Sequence, residues 1–239
     1  MSFGNLGQGQ GFGQGPGSVA APVSTAVQGS FLTQAFFWMF AGLLLSAGVA
    51  VVVQLSEPLV TFAANNFLIL IIAQLGLVLA IGFLINRISA TLALGLFFVY
   101  AASLGLTIGL IVGFYSPTAV VTAFLSASAM FGGAALYGAV TKRNLAGLGS
   151  IAFMALIGLI VASVVNIFLG SDTFGWIISL AGVAIFTVLT AWDVQRINSG
   201  QLVAMTGSVE KAAVLGALHL YLDFVNLFLF LLRLFGDRR

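Results

Sequence analysis

The sequence predicts an all-α, polytopic integral membrane protein with seven transmembrane helices and the C-terminal helix central in the bundle. Three observations predict the class. Of the 239 residues, 61% are hydrophobic and only 6% charged, whereas a soluble domain carries about a quarter charged residues. Apolar stretches of about 20 residues, each enough to cross a hydrocarbon core of roughly 30 Å, recur along almost the whole chain. Runs such as FLILIIAQLGLVLAIGFLI at 67–85 lack the alternation of apolar and polar residues that a transmembrane barrel strand shows over about ten positions. A water-soluble fold is excluded.

The elements follow in order. Residues 1–29 hold eight glycines, several glutamines and no charged side chain. Such a stretch cannot bury enough apolar surface to fold and reads as a disordered tail, which leaves 30–239 as one membrane domain. The tail lacks the basic start of a signal peptide, so the first apolar segment is expected to be retained. Seven segments lie near 31–54, 66–85, 90–113, 118–140, 147–169, 175–197 and 212–235. The third contains Gly105, Gly109 and Gly113, two overlapping small-xxx-small steps that allow a neighbouring backbone to approach, here expected inside the bundle rather than in a dimer.

Charge sets the expected topology. With seven spans, the tail and the loops holding Arg87, Lys142, Arg143, Arg196 and Lys211 share one side, while the opposite loops carry only Glu57 and Asp172. Positive loops face the cytoplasm, which places the N-terminus there. The C-terminus runs against the rule, since Arg233, Arg238 and Arg239 would lie outside unless one segment is re-entrant. A net charge of +2 is too small and dispersed for a nucleic-acid surface. The absence of cysteine removes disulfides, thiolate metal sites and cysteine nucleophiles, and a single histidine, His219, removes a two-histidine zinc motif.

Ionisable groups inside the segments are the functional candidates, because each costs about 2.5–3.5 kcal/mol or more at a helix centre unless it finds a partner or a wet cavity. On the last helix, His219, Asp223, Asn226, Phe230 and Arg233 are spaced by three or four residues and share one face. A polar seam of this kind cannot face lipid, so the last helix belongs inside the bundle. Counted from Ala212, Asp223 lies about 16 Å along its helix, close to the bilayer midplane. Asp193, in TAWDVQRI of the sixth segment, comes out about 10 Å shallower by the same arithmetic, a gap that tilt, a water-filled vestibule or a later start of the last span could close. If the two carboxyls meet, they cannot both stay ionised at low cost, and a shared proton would couple pH to helix separation and cation passage. The plainer alternative pairs Asp193 with Arg196, and Asp223 with His219 or Asn226, as bundle-holding contacts. Arg87 either snorkels to the interface or reaches a carboxylate, and His219 is either a titrating group or a hydrogen-bonded spacer.

The segment LHLYLDFVNLFLFLLRLFG at 218–236 resembles the signature last helix of the Bax inhibitor-1 family, in a bacterial-type member. AWDVQRI at 191–197 resembles the family's sixth-helix aspartate motif, and YGAVTKRNLAGLGS at 137–150 its loop between helices four and five, with Asn144 standing where many members carry an acidic residue. The resemblance implies a seven-helix fold around the last helix and a calcium-permeable, pH-sensitive leak in which Asp193 and Asp223 matter, both as pH sensor and as calcium-contacting groups. Arg87 is similar in placement to a second-helix arginine of the family, and Arg87, His219 and Asn226 are expected to support the pair. No cofactor is expected; calcium enters as a permeant ion, and the partners are the lipid bilayer and, in the alternative reading, other membrane proteins. The expected place is a bacterial cytoplasmic membrane.

Three functions follow from these residues. The first is the pH-gated calcium leak. The second is a regulatory protein that binds other membrane proteins, such as a membrane protease, for which the uncharged tail is the independent hint. The third is an intramembrane aspartyl protease, disfavoured because Asp223 sits in LYLDF rather than in the Gly-x-Gly-Asp setting of such enzymes. A serine protease is disfavoured by the lack of a G-x-S-x-G turn. The chain is therefore not expected to be an enzyme.

Overall fold

The computed structural model describes residues 25–236, with side-chain surroundings from residue 31 onward. The described elements are helices: α1 (Thr25–Gln54), α2 (Glu57–Asn65), α3 (Phe67–Leu84), α4 (Ala90–Val112), α5 (Pro117–Val140), α6 (Ala146–Leu169), α7 (Asp172–Asn198), α8 (Gln201–Thr206) and α9 (Val209–Phe235). Seven of them are long and apolar enough to cross a membrane, and they coincide with the seven segments read from the sequence. The described part of 1–29 is the start of α1 at Thr25; the remainder of that stretch lies outside the described residues.

Serine starts four of the spans. The backbone N–H groups of Leu92, Ala119, Phe174 and Lys211 donate to the hydroxyls of Ser89, Ser116, Ser171 and Ser208, three residues before each, which satisfies a donor that a helix start leaves without a partner. Pro117 adds a fixed φ at the start of α5.

Two short helices were not anticipated. Nine-residue α2 begins with Glu57 and Pro58 and packs against α1, α3 and α4. Six-residue α8 is bracketed by Gly200 and Gly207, whose φ angles of 73° and 65° lie in the left-handed region that residues with a Cβ rarely enter. The Thr206 hydroxyl closes this element, donating to the Leu202 carbonyl at 2.8 Å or that of Ser208 at 2.9 Å, and Leu202 is buried beneath it. With this link in place, α9 starts at Val209 rather than near 212.

Helix α9 packs on α1, α4, α5, α7 and α8, and 72% of its most apolar stretch is buried, against 11% for α3. The expected central last helix is found. Small residues bring the other helices close, as they must where lipid removes the hydrophobic drive between helices. A Cβ on Gly105 would stand 2.8 Å from the Ser46 carbonyl oxygen, and one on Gly109 would stand 2.8 Å from the Val53 Cβ. The glycine steps of the third span therefore serve α1, inside the bundle.

The basic loops collect at one end. The Lys211 ammonium donates to the Asn86 carbonyl at 3.3 Å, and the Gln195 amide ties the loop after α5 to α7, with Nε2 donating to the Arg143 carbonyl and Oε1 accepting from the Leu145 N–H, both at 2.8 Å. Arg233 lies toward the other end, its guanidinium against Gly175 near the start of α7. All seven apolar helices are long enough to span; Arg238 and Arg239 lie outside the described residues.

Candidate functional site

The site is built where α7 meets α9. Asp193 is 8% exposed and Asp223 4%, so both carboxyls are withdrawn from solvent. Arg196, one turn on from Asp193, donates from Nη1 to the Asp193 Oδ1 at 3.0 Å. Its guanidinium also stacks over the Trp192 ring, 4.6 Å from the centroid, within the range of a cation–π contact. Trp192 is held by α6: a Cβ on Gly149 would collide with its indole. Close by, a Cβ on Gly138 of α5 would collide with the Ala191 carbonyl. Two glycines on two helices thus give α7 the clearance to bring this stretch inward.

His219 enters from α9. Its Nδ1 stands 3.6 Å from the same Asp193 Oδ1, too long for a hydrogen bond but near enough to pair ionically once the ring is protonated, and that nitrogen has no hydrogen-bond partner. Asp223 follows one turn deeper, about 6 Å by helical rise, within electrostatic reach of Asp193 and beside the Thr190 hydroxyl of α7. Its Oδ2 is buried without a hydrogen-bond partner. A buried carboxyl oxygen left unserved is costly, and where one persists it calls for a functional explanation.

In place of the expected offset of about 10 Å, the aspartates are about one helical turn, roughly 6 Å, apart in depth along α9. Because α8 separates the end of α7 from the start of α9, α9 begins well outside the level of Asp193, and its eleventh residue, His219, comes level with that carboxyl. The plainer pairings are half realised. Asp193 does take Arg196, but His219 goes to Asp193 rather than Asp223, and the Asn226 amide donates to its own helix at the Leu222 carbonyl, 2.8 Å away. No direct hydrogen bond joins the two carboxyls. Arg87 sits exposed in the turn after α3 and is not brought to the pair.

Thr190, Trp192, Gly138 and Gly149 were missed from sequence. Trp192 and Arg196 stand at i and i+4, a spacing that could have flagged their stacking; the glycines carry no local signal. Also missed was the reverse face of α9, where the Tyr221 hydroxyl meets the Ser46 Oγ of α1 at 2.6 Å, and Ser46 is 2.7 Å from the Ala101 carbonyl of α4. Serine has one proton. With that proton on the Ala101 carbonyl, Tyr221 is the donor, and three helices are joined by one chain of hydrogen bonds.

Among the described residues, no group of three or more histidines and acids is assembled for a metal ion. Two carboxyls fall short of the six to eight oxygens that calcium takes, so the pair alone does not form a calcium cage.

A family model described as Inhibitor of apoptosis-promoting Bax1 matches residues 28–239. The chain is 43% identical over 216 residues to the inner membrane protein YbhL of Escherichia coli strain K12, covering 88% of this chain and 92% of that one. A Deinococcus radiodurans protein is 41% identical over 210 residues, covering 87% and 91%, and a Borreliella burgdorferi protein is 38% identical over 218 residues, covering 89% and 94%.

Proposed function

The chain belongs to the Bax inhibitor-1 family, and we propose that it is a calcium leak of a bacterial cytoplasmic membrane whose opening responds to pH through Asp193 and Asp223. The observation that carries this reading is the buried Asp223 Oδ2 with no hydrogen-bond partner, on the central helix, within electrostatic reach of a second carboxyl. A purely structural aspartate would have its oxygens served.

The chemistry is a competition for negative charge. With Asp223 neutral, the Thr190 hydroxyl keeps its proton on the Phe186 carbonyl, 2.7 Å away, and can accept from the acid. With Asp223 ionised, Thr190 is called on to donate to it instead, and two carboxylates then share a low-dielectric site with one guanidinium. That excess charge either drives α7 and α9 apart or draws in a hard cation. Arg196 opposes cation entry by holding Asp193. The end of the bundle bearing Lys142, Arg143 and Lys211 faces the cytoplasm in this reading, as the positive-inside tendency favours, and the Escherichia coli relative is named an inner membrane protein. Since the chain has no cysteine, a single cysteine placed in the loop after α5 would report that orientation by its reaction with an impermeant reagent.

The test is calcium flux into liposomes holding the purified full chain, measured from about pH 6 to about pH 8, a span on either side of neutrality. Flux that changes with pH in the wild type, and loses that dependence in Asp223→Asn and in the double asparagine variant, is expected. No flux at any pH, or flux indifferent to both substitutions, defeats the proposal. The second reading, a regulator of other membrane proteins, draws on the uncharged Gly/Gln-rich tail. Loss of co-purifying partners on deleting residues 1–29, with flux intact, would favour it.

A further inference from the structure

A cavity of about 410 Å³ lies in the half of the bundle away from the basic loops. Its walls are the last turns of α1 and the first turns of α5, and α9 forms its floor through Phe224, Val225 and Phe228. Both α1 and α5 pack on α9. Toward the basic end they meet through Phe36 and Phe131, ring centroids 6.3 Å apart, and Phe131 rests on Phe224 at 5.5 Å. Beyond this aromatic plug the two helices part, and the gap between them is the cavity.

The lining selects its ligand by what it withholds. Two polar side chains reach the wall, Ser46 and Gln54, and both are engaged within the bundle. Ser46 is held by Tyr221 and the Ala101 carbonyl, while the Gln54 amide donates to the Gly109 carbonyl. No acid or base lines the space. A headgroup, a peptide or an ion would find nothing to pair with there, and hydrocarbon would lose nothing. At about 30 Å³ per water-sized group, the volume takes roughly a dozen methylenes, part of one fatty acyl chain. A partner helix, about 10 Å across over its whole length, would need far more room than about 410 Å³. The cavity opens among spans whose surroundings are bilayer.

We propose that this cleft is a binding site for one acyl chain of a membrane phospholipid, seated against Phe224 and Phe228. The chain lies between α1 and α5 and sets how far they stand apart on α9. Phe224 is the residue after Asp223, so the occupant touches the helix that carries the acidic site.

The probe is a phospholipid with a dibrominated acyl chain, which quenches tryptophan on contact. It is added in small molar excess to the full chain in detergent micelles. Phe124→Trp puts the reporter on the cleft wall, where Phe124 meets Phe224 at 5.7 Å; Ile157→Trp puts it on the outward face of α6, where Ile157 is exposed. Saturable quenching is expected in the cleft reporter beyond the signal of the native tryptophans, severalfold stronger than in the α6 reporter. It should be abolished by adding Ala47→Phe, which fills the cleft from an exposed position on α1. Val121→Phe fills it from the other wall and stands in should the first variant not fold. Equal quenching at both reporters, or quenching untouched by either filler in a folded protein, overturns the proposal. The readout is independent of calcium flux, so its failure leaves the leak reading to its own test.

Discussion

Two faces of the same helix, two residues apart in sequence, are built on opposite terms. Tyr221 is fully buried, its ring set edge-on against Phe97 and Tyr100 with centroids 5.5 and 5.8 Å away, and its hydroxyl is satisfied by Ser46. Asp223 is nearly as buried but faces α7 with one carboxyl oxygen unserved. The first face closes every polar demand and joins α9 to α1 and α4. The second leaves a demand open at the point where α9 meets α7. The contrast teaches which contacts carry stability and which are free to change. The α1–α4–α9 side is a fixed frame, and motion coupled to charge belongs on the α7 side.

The largest way to break this division is to remove the frame. Tyr221→Ala should lower stability by about 3–5 kcal/mol, since it deletes a fully packed aromatic ring; detergent-induced unfolding followed by circular dichroism measures it. A loss of less than about 1 kcal/mol would mean that face is not the frame. Next comes the guarded half of the acidic face. Arg196→Gln leaves Asp193 buried with only the histidine beside it, and should cost about 2–3 kcal/mol in the same assay. Asp193→Asn added to it should recover most of that loss, because the burden is the stranded charge rather than the missing guanidinium.

How much of this was legible from sequence depends on the length of the signal each feature carries. The seven spans stood out because each holds about 20 apolar residues, and membrane thickness admits no shorter solution. Helices α2 and α8 did not, being nine and six residues long with too few turns to display a period, although Gly200 and Gly207 flank α8 in plain view. The seam on α9 was readable, since His219 and Asp223 share a face by spacing alone. Its partners were not, because spacing fixes which way a side chain points along its own helix and says nothing of the level of the neighbour. That level is set by α8, the element that was missed, and so spacing offers His219 or Asn226 to Asp223, whereas His219 meets Asp193. Ser46 lay hidden for a related reason: one serine in an apolar helix looks like an ordinary small-residue packing position until the tyrosine across from it is known.

A finer cut at the frame is Tyr221→Phe, which keeps the ring and removes only the hydroxyl. Ser46 can still donate to the Ala101 carbonyl, so no donor is stranded and the expected loss is about 1 kcal/mol, the net worth of one hydrogen bond. A loss as large as that of Tyr221→Ala would mean the hydroxyl, rather than the ring, organises the three helices.

The smallest expected change in stability falls on the most deeply placed charge. Asp223→Asn removes the capacity to ionise while keeping shape, and its amide can donate where a carboxylate could only accept. Since the Asn amide can keep a contact with the Thr190 hydroxyl, unfolding should move by no more than about 0.5 kcal/mol, or shift toward greater stability, as substitutions at strained functional positions commonly do. Calcium flux in liposomes should nonetheless lose its dependence on pH. Near-neutral stability with altered flux is the mark of a residue retained for what it does rather than for what it holds. A marked destabilisation, of the size expected for Arg196→Gln, would place Asp223 with Tyr221 as part of the frame and erase the difference between the two faces.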